Sequence, residues 1–204
     1  MLNNPAARKV ASVVVDPPAR FLIKCRISPD VVTLVGTAGA SISAIVCFST
    51  GRFILGVVLI AVFAISDLLD GTMARMQGTS GPWGNFLDAT LDRVADGAIF
   101  GSLVVWGALN DQIWVVAGGL LALVTGQVTS YAKARAEAVG ATANVGIAER
   151  AERLIIGMAA VLLAGFGVPY VLAGALWVLG VLGVITIIQR MVNVRGQLWS
   201  GAGE

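Results

Sequence analysis

The 204-residue sequence contains no histidine and only two cysteines. The absence of histidine excludes Ser-His-Asp catalysis and phosphoryl transfer through histidine, and with so little cysteine it also excludes most zinc sites. Cys25 and Cys47 offer no disulfide framework, and we expect both to be unreactive thiols. Any chemistry must therefore use aspartate, glutamate, lysine, arginine, serine, threonine or tyrosine side chains.

Charge is scarce as well. Charged residues make up 13% of the chain, whereas soluble domains average about 25%. The mean hydropathy is +0.85, and 57% of the residues are hydrophobic. This composition excludes an ordinary soluble domain and predicts an integral membrane protein, whose expected partners are membrane lipids and not nucleic acid.

Six apolar segments are long enough to cross a bilayer core about 30 Å thick, which requires about 20 helical residues. They cover residues 31–50, 53–75, 85–109, 113–137, 149–167 and 169–190. The connections between them are short, which is typical of antiparallel neighbours in a bundle. The sequence therefore predicts an all-α fold, an integral membrane bundle of six transmembrane helices.

Basic residues are distributed unevenly between the two ends of these spans. With six spans, both termini share a side with the second and fourth connections. That side carries thirteen of the fourteen Lys and Arg residues, and Arg52 alone falls on the other. Because positive charge marks cytoplasmic loops, we expect a multi-pass protein of the cell membrane with both termini on the cytoplasmic side.

The N-terminal segment is basic but has no long apolar run, so no cleavable signal peptide is predicted. Within residues 5–27 apolar side chains alternate with Lys and Arg, which is typical of an interfacial amphipathic helix on anionic lipid, although a solvated basic tail is the alternative. Pro17 and Pro18 predict a break in this helix. We expect a cytoplasmic juxtamembrane segment at 1–27, the six-span domain at 28–195 and a C-terminal tail at 196–204.

Four aspartates lie in the second and third predicted spans, toward the connection that joins them. Asp67 and Asp70 are three residues apart and share one helix face, and Asp88 and Asp92 are four residues apart and share a face of the next helix. The connection between the two helices is short and rich in glycine. The helices are therefore predicted to be antiparallel neighbours whose acidic faces can converge.

Four converging carboxylates repel one another and are costly near hydrocarbon. Hard oxygen ligands favour magnesium, manganese or calcium over zinc, and two divalent ions would balance the four charges and suit a phosphoryl-type displacement. The residues alone leave two alternatives open. The aspartates can cap helices or pair with Arg75 and Arg93, or they can serve an ion- or proton-coupled carrier, whose site is expected nearer the midplane.

A basic group of residues is predicted on the same side of the membrane. Its members are Lys133, Arg135, Arg150, Arg153 and Arg195, with the hydroxyl groups of Ser130 and Tyr131. Helix N-termini and arginine side chains both favour phosphate, so a basic pocket beside metal ions predicts an acceptor that is itself phosphorylated. The alternative is an ordinary positive-inside flank.

The residues Asp67-Leu-Leu-Asp70-Gly71-Thr-Met-Ala74-Arg75, followed after eight residues by Gly84-Asn-Phe-Leu-Asp88-Ala-Thr-Leu-Asp92, resemble the signature of the CDP-alcohol phosphatidyltransferase family. All eight signature positions match. Upstream, "SPDVVT" is similar to the family's P-N-x-x-T element, with Asp30 where asparagine is usual. The family's six-span layout fits the chain from about residue 28 onward.

The resemblance implies a role for each signature residue. Asp67, Asp70, Asp88 and Asp92 would hold two divalent cations, Mg²⁺ or Mn²⁺, and Asp92 would also be the general base. The residues expected to bind CDP-diacylglycerol are Thr33, Gly71, Ala74 and Arg75. The active site would lie on the cytoplasmic side, and the family also suggests a homodimer.

The stretch "SYAKARAEAVG", with "ERAERLI" after it, resembles family members that use inositol phosphate as the acceptor. This resemblance implies that Ser130, Lys133, Arg153 and Arg195 bind the phosphate of myo-inositol phosphate. The products would be phosphatidylinositol phosphate and CMP, in phospholipid biosynthesis. Glycerol 3-phosphate as the acceptor is the alternative within the family, and an ion-coupled carrier is the alternative from another class.

Overall fold

The structure, a computed structural model, describes residues 5–147 and 149–200, and the side chains of residues 15–147 and 149–199. Within these ranges it contains helices and no strand, so the predicted all-α fold is confirmed. The helices are α1 (Pro5–Lys24), α2 (Pro29–Ser49), α3 (Phe53–Ala64), α4 (Ser66–Gln77), α5 (Pro82–Leu109), α6 (Ile113–Ala138), α7 (Arg150–Gly165) and α8 (Val171–Ser200).

The helices α3 and α4 follow each other almost without interruption. Ile65 separates them, yet its carbonyl accepts hydrogen bonds from the amides of Leu68 and Leu69, at 3.1 and 3.2 Å. The Ser66 hydroxyl donates to the carbonyl of Phe63 at 2.6 Å and so satisfies one acceptor at the end of α3. The apolar α3 and the acidic α4 therefore form one nearly continuous helix. Counted in this way, the eight helical segments make seven helices.

Among the residues that the structure describes, four helices are long and apolar enough to cross a membrane, and they support a multi-pass membrane protein. They are Pro29–Ser49, Phe53–Gln77, Ile113–Ala138 and Val171–Trp199. The two other predicted spans correspond to α5 and α7. Asp88, Asp92, Arg93 and Asp96 lie between the start and the middle of α5, and α7 has only 16 residues. A helix of that length spans about 24 Å, less than a typical hydrocarbon core.

At the N-terminus, α1 runs through Pro17 and Pro18 without a break, so the predicted interruption is wrong. The fixed φ of proline is compatible with a helix, and each proline removes only one amide donor. Both prolines are exposed, which leaves the carbonyls of the preceding turn accessible. The side chains of residues 5–14, on which the amphipathic pattern depends, lie outside the described side chains, and that pattern stays a prediction.

The described residues fall into two compact units. The first comprises the chain up to Ser43 together with Val58–Ala95, and the second comprises Ala44–Val57 together with the chain from Asp96 onward. Residues 201–204 of the predicted C-terminal tail lie outside the described residues, and α8 continues through residues 196–200.

Small residues allow close packing inside each unit. In the first, α1 packs against α2 and α4 through Ala19, Val32 and Met73. A Cβ atom at Gly36 of α2 would overlap with the Ser66 hydroxyl, so α2 approaches α4 closely only because Gly36 has no side chain. In the second, a Cβ at Gly183 of α8 would overlap with Thr125 of α6. Such close contact is typical of helices in lipid.

Candidate active site

The acidic signature lies in the first unit, on two helices joined by a tight reversal. Gly78 ends α4 in the left-handed conformation, with φ 67°, where glycine is favoured. Pro82 then begins α5, a position at which proline costs no hydrogen bond. The reversal brings Asp67 and Asp88 close enough to Asp70 for their charges to repel it. The predicted convergence of the two acidic faces is therefore seen for three of the four aspartates.

Asp92 lies one turn after Asp88 on α5 and is partly buried. One of its oxygens, Oδ2, is 3.9 Å from Nη2 of Arg93. Asp92 shares a face of α5 with Asp88.

Asp70 is held in place by a residue of α2. The Thr33 hydroxyl donates a short hydrogen bond to Oδ2 of Asp70, and Thr33 itself is buried. The sequence predicted Thr33 among the residues that bind CDP-diacylglycerol. In the structure its hydroxyl group contacts Asp70, and such a donor orients a carboxylate.

The four aspartates fit a hard divalent cation by their chemistry. The donors are carboxylates alone, Asp67 and Asp88 both lie near enough to Asp70 to repel it, and Asp70 is oriented by a hydroxyl donor. Carboxylate oxygens are the ligands that Mg²⁺ or Mn²⁺ prefers. Within the residues that the structure describes, no three His, Cys, Asp or Glu side chains already stand at a metal-binding arrangement. A bound cation would therefore draw the carboxylates closer together.

Space is available beside the aspartates at Gly71. A Cβ atom built there would meet only Nη1 of Arg75, at 3.9 Å. Glycine inside a helix costs about 1 kcal/mol relative to alanine, and packing gives no reason for it here. Arg75 donates from Nη2 to the hydroxyl of Thr72 at 3.0 Å and is exposed. The α4 surface around Gly71, Ala74 and Arg75 is thus open to a ligand.

Trp83, which lies outside the family signature, links the starts of two helices through a hydrogen bond. The indole N–H of Trp83, in the first turn of α5, donates to Oδ2 of Asp30 at 2.9 Å. Asp30 occupies the first turn of α2, and it stands where the family usually has asparagine. A carboxylate accepts the indole N–H as readily as an amide oxygen would, so the departure is compatible with the local structure.

An apolar cavity of about 440 Å³ lies in the first unit. It is formed by the end of α1, by α2 and by the junction of α3 and α4, with Leu22, Val35 and Phe63 among its walls. Two further lining residues, Ser66 and Leu69, directly precede Asp67 and Asp70 in α4. The cavity thus leads from apolar surroundings to the helix that carries two of the aspartates.

The basic residues predicted for the acceptor lie in the second unit, and the structure brings two arginines of α7 together on one carboxylate. Arg150 places Nε 3.3 Å from Oδ1 of Asp96, and Arg153 places Nη2 3.3 Å from Oδ2. Arg153 is only 2% exposed. Sequence reasoning missed Asp96, although its spacing of four residues from Asp92 was a signal that could have found it.

The remaining predicted acceptor residues lie on α6 and α8. Ser130 donates to the carbonyl of Gly126 at 3.3 Å, and Lys133 follows it by three residues, on the same face of α6. Arg195 lies over the ring of Trp199, 4.5 Å from its centroid. Arg195 therefore makes a cation–π contact within its own helix.

A second set of contacts joins α8 to α6 and to the long connection between α6 and α7. Arg190 of α8 donates to the carbonyls of Thr129 and Val145, at 2.6 and 3.0 Å. Gln197 accepts from the amide of Thr142 at 2.9 Å and donates to its carbonyl at 2.7 Å. The described residues of the connection, 139–147 and 149, form no helix or strand, so its backbone is held at Thr142 and Val145 by the side chains of α8.

The CDP-alcohol phosphatidyltransferase family matches residues 26–191 of the chain. The phosphatidylinositol phosphate synthase of Streptomyces avermitilis is 48% identical over 200 residues, which cover 94% of this chain and 82% of that protein. The synthase of Corynebacterium glutamicum is 44% identical over 188 residues, covering 91% and 85%.

Solved structures agree with these matches. The crystal structure of the Mycobacterium tuberculosis phosphatidylinositol phosphate synthase with CDP-DAG bound is 40% identical, with a TM-score of 0.85 over 89% of this chain and 93% of that one. The same protein in complex with manganese and citrate also has a TM-score of 0.85, over 89% and 88%. The signature on α4 and α5, the sequence matches and the fold agree, and the chain belongs to the CDP-alcohol phosphatidyltransferase family.

Proposed function

We propose that this protein transfers the phosphatidyl group from CDP-diacylglycerol to a hydroxyl of myo-inositol phosphate and releases CMP. The observation that carries the proposal is the convergence of Asp67, Asp70 and Asp88 from two successive helices, in a chain that matches the family signature throughout. Relatives named phosphatidylinositol phosphate synthase, at 48% and 44% identity, support the choice of acceptor.

Asp67, Asp70, Asp88 and Asp92 would hold two divalent cations, Mg²⁺ or Mn²⁺; the manganese in a relative's structure supports the class of metal. When bound, such ions supply the positive charge that neutralises phosphate oxygens and the leaving group. Thr33 keeps one oxygen of Asp70 oriented, which reduces the reorganisation that binding requires.

The chain's own residues would then perform three tasks. The open surface at Gly71 and Ala74 accommodates the cytidine, and Arg75 binds the diphosphate through its charge. Asp92 accepts the proton of the attacking hydroxyl. The hydroxyl oxygen forms a bond to the phosphorus of the phosphatidyl group, the anhydride bond to CMP breaks, and CMP leaves with the bonding electron pair. No covalent intermediate on the protein is needed.

The acceptor's phosphate would be bound by Ser130, Lys133, Arg153 and Arg195 of the second unit. Arg195 must leave Trp199 to take part, because its guanidinium group now lies over that ring. Three cations and one hydroxyl favour an acceptor that carries a phosphate over a neutral polyol. Glycerol 3-phosphate meets the same requirement and is the alternative acceptor.

The apolar cavity would hold an acyl chain of CDP-diacylglycerol. Its walls are apolar, and it ends beside the helix that carries Asp67 and Asp70. Val35→Trp would fill it and is expected to raise KM for a long-chain donor more than for a short-chain analogue. Ile42→Trp is the control, because Ile42 is about as exposed on the same helix as Val35 and does not line the cavity. Equal responses to both donors would reject this assignment.

We further propose that residues 28–195 form one six-span domain, with α5 and α7 as the two additional spans. Residues 1–27 would lie on the membrane surface, and the protein would be a homodimer. The active site and both termini would face the cytoplasm.

The two cysteines allow a test of this topology, because Cys25 is exposed and Cys47 is buried. An impermeant maleimide should therefore label Cys25 in inside-out vesicles and not in right-side-out ones. Labelling with the opposite preference would reverse the topology.

The central experiment measures CMP release by detergent-purified protein from CDP-diacylglycerol. Release should require Mg²⁺ or Mn²⁺ and inositol phosphate, and Asp92→Asn should reduce kcat by about 10²–10⁴-fold, as removal of a general base does. Asp111→Asn, an exposed aspartate on the connection between α5 and α6, is the control. Release supported only by glycerol 3-phosphate would overturn the acceptor, and no metal-dependent release with any acceptor would favour a carrier.

A further inference from the structure

Asp96 is a buried carboxylate that the chemistry proposed above does not use. It lies on α5, is 4% exposed, and contacts two arginines of α7 through separate oxygens: Arg150 through Oδ1 and Arg153 through Oδ2, both at 3.3 Å. A buried carboxylate is unfavourable unless it is paired. The two contacts satisfy this requirement and at the same time fix the positions of two cations.

Arg153 is held by more than its ion pair. It is the largest of the fully buried side chains that the structure describes, and a guanidinium group cannot lose its charge in a protein. A Cβ atom built on Gly126 of α6 would lie 3.3 Å from Cζ, Nε and Nη2 of Arg153. Since three atoms of the group are equally distant, the guanidinium lies flat against the backbone at Gly126, and its orientation is restricted by both Asp96 and Gly126.

The cluster reaches the protein surface at Arg150, whose side chain is 28% exposed. Both arginines lie in the first turn of α7, where the helix dipole also favours negative charge. Arginine matches phosphate in geometry as well as in charge.

We propose that Asp96 is a positioning residue for the phosphorylated acceptor, which orients Arg153 and Arg150 toward the acceptor's phosphate, and that Gly126 provides the space that the Arg153 guanidinium needs. The inference rests on the proposed function, because it takes the acceptor phosphate as the ligand of Arg153. It adds two residues, one on α5 and one on α6, that lie outside the family signature.

Binding is tested first without turnover, with inorganic phosphate as the probe. Phosphate should raise the thermal unfolding temperature of the purified wild-type protein and of Asp111→Asn, and it should raise that of Asp96→Asn by at most about half as much. An equal phosphate shift in Asp96→Asn and the wild type would overturn the proposal. So would the absence of any shift in the wild type.

Kinetics separate positioning from a merely structural role. Asp96→Asn should raise KM for inositol phosphate about tenfold or more while KM for CDP-diacylglycerol stays within about twofold. Asp96→Glu, which keeps the charge, should recover part of the loss, and Gly126→Ala should raise KM for inositol phosphate alone. Equal changes in the two KM values, or no change in either, would contradict the proposal.

The two proposals fail in different ways. If Asp96→Asn does not fold, Gly126→Ala and Asp96→Glu decide the matter, because they retain both arginines and the carboxylate charge. If the wild type releases no CMP with inositol phosphate but its phosphate shift still depends on Asp96, the proposed function fails and the positioning role survives. If CMP is released normally and the phosphate shift does not depend on Asp96, the proposed function survives and the positioning role fails.

Discussion

Replacing Gly71 with alanine should separate the stability of the protein from its activity. Gly71 lies inside α4, and the added Cβ would meet only Nη1 of Arg75, at 3.9 Å. The methyl group therefore creates no clash in the unliganded protein. Alanine is more favourable than glycine in a helix interior by about 0.8–1 kcal/mol. For a chain of this length that corresponds to an increase in Tm of about 2–4 °C.

The same methyl group should weaken donor binding. If the open space at Gly71 receives the cytidine, overpacking it costs about 1–3 kcal/mol. This cost translates into an increase in KM for CDP-diacylglycerol of about 5- to 150-fold. KM for the acceptor should stay unchanged, because the added Cβ meets none of the residues assigned to the acceptor.

The assay combines thermal unfolding in detergent with CMP release at varied donor concentration. Gly101→Ala on α5 is a matched control: Gly101 is also inside a helix and half-buried, and a Cβ there would meet nothing within 4 Å. The Gly101→Ala protein should show a similar increase in Tm and an unchanged KM for CDP-diacylglycerol. A Gly71→Ala protein that is more stable and binds the donor as the wild type does would refute the assignment of this space to the nucleotide.

Three further outcomes follow from individual contacts. Thr33→Val removes the hydrogen bond to Asp70 and should raise the Mg²⁺ concentration for half-maximal activity about 10- to 100-fold; a metal titration with unchanged midpoint would contradict this. Trp199→Leu releases Arg195 from a cation–π contact worth about 0.5–1 kcal/mol, so KM for inositol phosphate should fall about 2- to 5-fold, and an increase would show that the contact helps binding. Gly39→Ala would place a Cβ against the ring of Phe63 and should destabilise the protein by about 1–3 kcal/mol, whereas an unchanged Tm would show that the ring moves aside.

Much of the fold could be predicted from hydropathy. Each predicted span corresponds to a helix or helix pair, because a long apolar run in lipid has few alternatives to a helix. The ends were less predictable. α8 reaches Ser200, ten residues beyond the predicted end of the last span at residue 190, since helix formation continues after hydrophobicity ends. The continuity of α1 through Pro17 and Pro18 was missed because sequence rules treat proline as a break and ignore tertiary packing, here of Ala19.

The candidate site was predictable where a motif specified it. The convergence of Asp67, Asp70 and Asp88 follows from their spacing and from the tight reversal at Gly78. Other contacts depend on tertiary structure alone. Asp96 meets arginines more than 50 residues away in sequence, Trp83 meets Asp30 across 53 residues, and neither pair has a local pattern. Burial also could not be foreseen, and it makes Arg153 the most constrained of the predicted acceptor residues.

The contacts of Arg190 and Gln197 define which part of the chain must be exchanged together in a hybrid protein. Arg190 and Gln197 of α8 bind the backbone of α6 at Thr129 and of the following loop at Thr142 and Val145, although 45 to 61 residues separate the partners in sequence. Consider a hybrid that takes α6, the loop and α7 from a relative with another acceptor and keeps the native α8. In this hybrid, Arg190 and Gln197 would face a backbone to which they are not matched. A change of acceptor preference by such an exchange therefore requires that α8, with Arg190 and Gln197, is exchanged together with α6, the loop and α7.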